Sequence, residues 1–136
     1  MTAALAEAVD RAGRFSPFLR GLIRREEELL DCMAADGFEA ALARAMARLD
    51  PAEPAPSVRA ARGGVALVTA LADLSGAWAL EAVTGALTRS ADSALDFAIR
   101  AAFAERDSEP AGLAALALGK MGSFELNYSS DIDLIF

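Results

Sequence analysis

Asp131 and Asp133, with Ile132 between them, are the residues of this 136-residue chain best suited to chemistry. Asp131 opens the run Asp-Ile-Asp-Leu-Ile-Phe, whose apolar members suit a β-strand. Strand side chains alternate between faces, so both carboxylates point one way while Ile132 and Leu134 point the other. At strand rise their Cα atoms stand roughly 7 Å apart. A pair of hard oxygen ligands suits Mg²⁺, which takes one or two carboxylates and completes its shell with water and substrate phosphates. That is the metal half of a phosphoryl- or nucleotidyl-transfer centre. A bare Asp-x-Asp also reads as the polar start of a strand, with Asp131 closing a turn.

Nearby residues fit the same chemistry. Gly122-Ser123 reads either as a simple tight turn or as a phosphate cradle built from N–H groups and the Ser123 hydroxyl. Lys120 is either a phosphate neighbour or a solvated cation. It is not part of a P-loop, because Ala114 stands where the first Gly is required and Met121 where Ser or Thr is required. Ser130, directly before Asp131, joins Glu125 and Asn127 as hydrogen-bonding support. The candidate set is therefore Asp131 and Asp133 as catalytic metal ligands, with Lys120, Gly122, Ser123 and Ser130 toward nucleotide phosphate.

The elements that must position these residues read as helices. Of the residues, 54% are hydrophobic and only 7% aromatic, and the apolar share is rich in Ala and Leu, which favours helix. A first helix spans about 3–12, with Gly13 interrupting it. Ser16 caps a second, with Pro17 in its first turn and Phe18, Leu19, Leu22, Ile23, Leu29 and Leu30 on one face. Arg24, Arg25 and Glu26 to Glu28 read as a solvated face. Asp36-Gly37 breaks the pattern, and Phe38 to Leu49 resumes it. Three prolines in 50–56 mark a linker. Ser57 is expected to cap a helix to Leu74, in which Gly63-Gly64 signals close packing or a kink. A short helix follows from Trp78 to Leu87, then another capped by Ser90 with Leu95, Ile99, Ala102 and Phe103 inward. Leu113–Leu118 reads as a first strand and Asp131–Phe136 as a second. The expected class is α+β: a helical lead-in over 1–106, then the first two strands of a catalytic domain over 107–136.

Net charge is −7, and no basic stripe is present, which argues against nucleic acid as the main partner. Cys32 has no internal partner for a disulfide, and the absence of His leaves no Cys/His metal cluster. No apolar leader and no long apolar run point to a membrane, so the cytoplasm is the expected location.

Glu125-Leu126-Asn127-Tyr128-Ser129-Ser130-Asp131-Ile132-Asp133-Leu134, preceded by Leu118-Gly119-Lys120-Met121-Gly122, resembles the active-site string of the glutamine synthetase adenylyltransferases, within the nucleotidyltransferase superfamily. Ser16-Pro17-Phe18-Leu19 and Arg62-Gly63-Gly64 through Gly76 extend the likeness, which runs from about residue 15 to the end and is loosest over 35–57. Members often carry Gly where Ser123 stands. The resemblance implies a bifunctional enzyme of nitrogen metabolism. One half removes AMP from a glutamine synthetase tyrosine by phosphorolysis with inorganic phosphate, yielding ADP; the other attaches AMP from ATP. It implies Mg²⁺ at Asp131 and Asp133, a third carboxylate on a later strand beyond Phe136, and regulation by PII signalling proteins. The opening Met and single motif copy place the chain in the AMP-removing half, inactive as a fragment. The rival readings are a non-catalytic helical interaction module and another protein nucleotidyltransferase such as a uridylyltransferase.

Overall fold

The computed structural model describes residues 2–133. Their apolar periodicity folds into six helices, α1 (Ala3–Phe15), α2 (Pro17–Arg25), α3 (Glu27–Ala35), α4 (Phe38–Met46), α5 (Pro54–Leu74) and α6 (Leu80–Ala104), followed by a single turn, α7 (Gly119–Gly122). Thr2 and Ser16 cap α1 and α2, their hydroxyls accepting from the Leu5 and Leu19 N–H groups at 3.3 and 3.2 Å. Each cap satisfies a donor that the first helical turn would otherwise leave unpaired. Gly37, at φ +92°, separates α3 from α4 in a conformation a side chain would resist.

Helix α5 runs through the middle of the bundle. Gly64, Val65 and Leu67 to Ala72 are all buried, so this helix is apolar nearly all round. It packs on α1, α2, α3, α4 and α6. Leu29, Ala41, Ala45, Leu67, Val68 and Leu71 form the centre of the core and are essentially inaccessible. Gly63-Gly64 leaves the helix unbroken and serves close packing. A Cβ on Gly64 would lie 2.9 Å from Ala45 Cβ and 3.0 Å from Leu29 Cδ1.

Three helices end in one pattern. The N–H groups of Gly76 and Ala77 bond back to Asp73 O and Ala72 O, those of Asp107 and Ser108 to Ala104 O and Phe103 O, and those of Phe124 and Glu125 to Met121 O and Lys120 O. Gly76, Asp107 and Phe124 each take positive φ to make the reversal. Gly is the usual residue at this position, and Phe124 holds it against the steric preference of its Cβ.

The structure corrects several expectations. The helix expected across Phe18–Leu30 is split at Glu26, whose carboxylate leaves the solvated face to form a two-pronged pair with Arg48, at 3.0 and 2.6 Å. Helix α1 passes through Gly13. Helix α5 starts at Pro54, placing Ser57 inside, where its hydroxyl donates to Pro54 O. Ser90 also lies inside a helix, because α6 is continuous from Leu80; its hydroxyl bonds to Ala86 O. Leu95, Ile99 and Phe103 are half-buried and Ala102 is exposed.

The largest correction concerns class. The described residues contain helices and no strand, so the expected α+β architecture is not found among them. Leu113–Leu118 is irregular and exposed, with Leu116 84% and Leu118 81% accessible. Its Leu-Ala sequence lacks the branched and aromatic side chains that favour strands, and a two-stranded pairing is marginal in water. Asp131–Asp133 is irregular too; Leu134–Phe136 of the expected second strand lies outside the described residues. No helix among the described residues is long and apolar enough to cross a membrane.

Candidate active site

The candidate residues occupy the stretch from α7 onward. Met121 and Leu126, 8% and 6% exposed, pin it to the bundle, while Gly122–Glu125 between them faces solvent. Gly122 is required sterically: a Cβ there would stand 2.5 Å from the Ala117 carbonyl oxygen. The Gly122 and Ser123 N–H groups bond to Leu118 O and Gly119 O, and the Ser123 hydroxyl lies 3.0 Å from Gly119 O and 3.1 Å from Glu125 Oε2. Lys120 is exposed.

The turn before the aspartates closes on itself. Asn127 Oδ1 accepts from the Ser129 N–H at 3.0 Å and the Ser130 hydroxyl at 3.1 Å, while the Asn127 N–H donates to Ser130 Oγ at 3.1 Å. The Ser130 N–H returns to Asn127 O. Such an Asx-type turn fixes the backbone just ahead of Asp131. Ser130 therefore supports the site from within the turn, and Asp131 and Asp133 project as exposed carboxylates beyond it.

Two helices reach this segment. Thr88 of α6 is wholly buried; its hydroxyl donates to Thr84 O at 2.9 Å and accepts the Leu126 N–H at 3.4 Å. The Tyr128 hydroxyl donates to Asp73 Oδ2 of α5 at 3.4 Å. Burial, aided by the Asp73 charge and hydrogen bond and opposed by a contact with Thr69, pushes the Tyr128 phenol up to about 12. Thr88 and Asp73 escaped the sequence reading, although the Thr84 and Thr88 pair one turn apart and the chain's single Tyr inside the motif were available signals.

Between the helices and this segment runs an open, largely apolar groove of about 780 Å³. Val65, Leu87 and Leu95 line one side, and Tyr128, Ser130 and Asp131 the other. The groove thus gathers Ser130 and Asp131; Lys120, Gly122, Ser123 and Asp133 lie outside its lining.

The donor set at Asp131 and Asp133 is two hard carboxylates, and no group of three or more metal-ligating side chains forms among the described residues. Two exposed carboxylates are a donor set that Mg²⁺ accepts alongside water and phosphate oxygens.

A family model described as glutamate-ammonia ligase adenylyltransferase matches residues 3–136. Similar curated proteins carry the name bifunctional glutamine synthetase adenylyltransferase/adenylyl-removing enzyme. The one from Xanthobacter autotrophicus is 44% identical over 140 residues, covering 88% of this chain. Those from Caulobacter vibrioides and Rhizobium meliloti are 38% and 33% identical, covering 87% and 98% of it. The chain spans only 14% of the length of the first two and 16% of the third. No solved structure matches.

Proposed function

Because this chain belongs to the glutamate-ammonia ligase adenylyltransferase family, we propose that it supplies the metal-binding turn of a nucleotidyltransferase half acting on glutamine synthetase. The observation that carries the reading is the exposed Asp131–Asp133 pair set directly after the self-bonded Asn127–Ser130 turn. The half is the AMP-removing one. Inorganic phosphate attacks the phosphorus of the tyrosine–AMP diester, a new P–O bond forms to give ADP, the bond to the tyrosine oxygen breaks, and that oxygen leaves to be protonated.

Asp131 and Asp133 would hold Mg²⁺, and the chemistry that ion would supply is neutralisation of phosphate charge for an in-line displacement. Lys120 and the Gly122–Ser123 turn are assigned to the phosphate side of the site, and Ser130 supports Asp131 from within its turn. Val65, Leu87 and Leu95 of α5 and α6 line the groove that Asp131 borders. AMP attachment from ATP falls to a related half, control to a PII signalling protein, and the setting is the cytoplasm.

The test is a hybrid in which this chain replaces the matching segment of the Xanthobacter autotrophicus enzyme. Asp131→Asn or Asp133→Asn should abolish ADP formation from adenylylated glutamine synthetase and phosphate while AMP attachment survives. Intact removal with lost attachment would assign the wrong half. Removal that survives both substitutions, or an unsubstituted hybrid that removes no AMP, would refute the reading.

A further inference from the structure

We propose that Thr88 and Asp73 are positioning residues, latching Leu126 and Tyr128 onto α6 and α5 so that the helical bundle sets where Asp131 and Asp133 stand. The inference rests on the function proposed above for that pair.

The geometry is specific. Two residues spaced by one, 126 and 128, are held by two different helices, the first just ahead of the turn that presents the aspartates and the second within it. Two contacts from separate helices, each 3.4 Å, constrain the segment's direction as well as its place. Thr88 is wholly buried, and its one proton is committed to Thr84 O, so its lone pair is oriented to accept the Leu126 N–H. Leu126 is itself buried, which leaves that N–H little alternative partner. Tyr128 lies over the groove wall with its hydroxyl toward Asp73, and its partial burial and raised pKa fit a phenol held beside a carboxylate. Small displacements of metal ligands are costly for transfer chemistry, so these contacts bear on rate although they touch no substrate.

Two measurements test this. In the hybrid enzyme, Thr88→Val should lower kcat for AMP removal roughly 10-fold or more and raise the Mg²⁺ concentration for half activity, with KM for adenylylated glutamine synthetase nearly unchanged. Thr88→Ser should restore the parent values. Asp73→Asn and Tyr128→Phe should each lower kcat, with no further loss when combined.

The second measurement needs no activity. Tyr128 is the only tyrosine of this chain, so tyrosinate absorbance of the 136-residue protein titrates that group alone. Its midpoint should fall toward the ordinary value in Asp73→Asn and in Thr88→Val, and stay put in Asp131→Asn. Unmoved midpoints in Asp73→Asn and Thr88→Val, or wild-type kcat and Mg²⁺ dependence in Thr88→Val, would overturn the latch. A hybrid indifferent to Asp131→Asn whose tyrosine midpoint still moves would instead retain the latch and discard the function.

Discussion

Gly64 offers a measurement in which the steric term can be isolated. Replacing it with Ala adds one methyl at the crossing of α4 and α5, where the new Cβ would meet Ala45 Cβ at 2.9 Å, Leu29 Cδ1 at 3.0 Å and Arg48 Nη1 at 3.2 Å. Ala45 cannot retreat without moving α4, and Arg48 is tied to Glu26 by two hydrogen bonds. Overpacking of this kind costs about 1–3 kcal/mol. Ala is also the better helix former, by about 1 kcal/mol, so the net loss is expected near 1 kcal/mol. Gly63→Ala is the internal control. There the added Cβ meets only the tip of Leu22, at 3.3 Å. The propensity gain is common to both variants and cancels between them. Their difference in unfolding free energy, from urea denaturation followed by helical circular dichroism, should therefore be about 1–3 kcal/mol, with Gly63→Ala the more stable. Equal midpoints would show that α4 and α5 do not approach as closely as the structure places them.

Ser16→Ala should cost about 1 kcal/mol, because the Leu19 N–H loses its 3.2 Å acceptor at the α1–α2 junction; the same urea titration checks it. Tyr128 makes stability depend on pH in the alkaline range. Its phenol titrates at about 12 in the folded chain and near 10 when unfolded, so the folded state binds the proton more tightly. The contribution is present in full below about pH 10 and is lost as pH rises through about 12. Tyrosine 128 is 45% exposed, so solvent screening keeps the effect small. Urea midpoints across that window should fall in the parent and be flatter in Tyr128→Phe.

Local chemistry was legible where a residue has one conformational use. Ser16-Pro17 marked a helix start and Asp36-Gly37 a break, because each answers to backbone geometry within a few residues; the Gly63-Gly64 pair left close packing and a kink both open, and its distant neighbours Ala45 and Leu29 decide for packing. Ser57 and Ser90 misled for a reason equally physical: a helical Ser satisfies its hydroxyl on a carbonyl one turn back and need not cap anything. Glu26 reads as surface until Arg48, 22 residues away, is brought beside it. The strands failed because extended runs need partners, and periodicity reports only the run. Of the candidate site, the carboxylate pair is read from the sequence. Its supports at Asp73 and Thr88 are not, since their relation to the motif exists only once α5 and α6 have folded.

The buried residues of the main core all lie between Leu5 and Leu71, whereas Thr88 meets Leu126 across 38 residues and Asp73 meets Tyr128 across 55. A chain made from its N-terminus has therefore exposed everything needed for the core well before the ribosome has released the motif. The α5 and α6 surfaces stand ready when Leu126 and Tyr128 emerge, and the loop closures that seat them fall on helices already formed. Vectorial synthesis thus gives the acidic turn a prepared template, and the aspartates are placed after the helices that hold their turn.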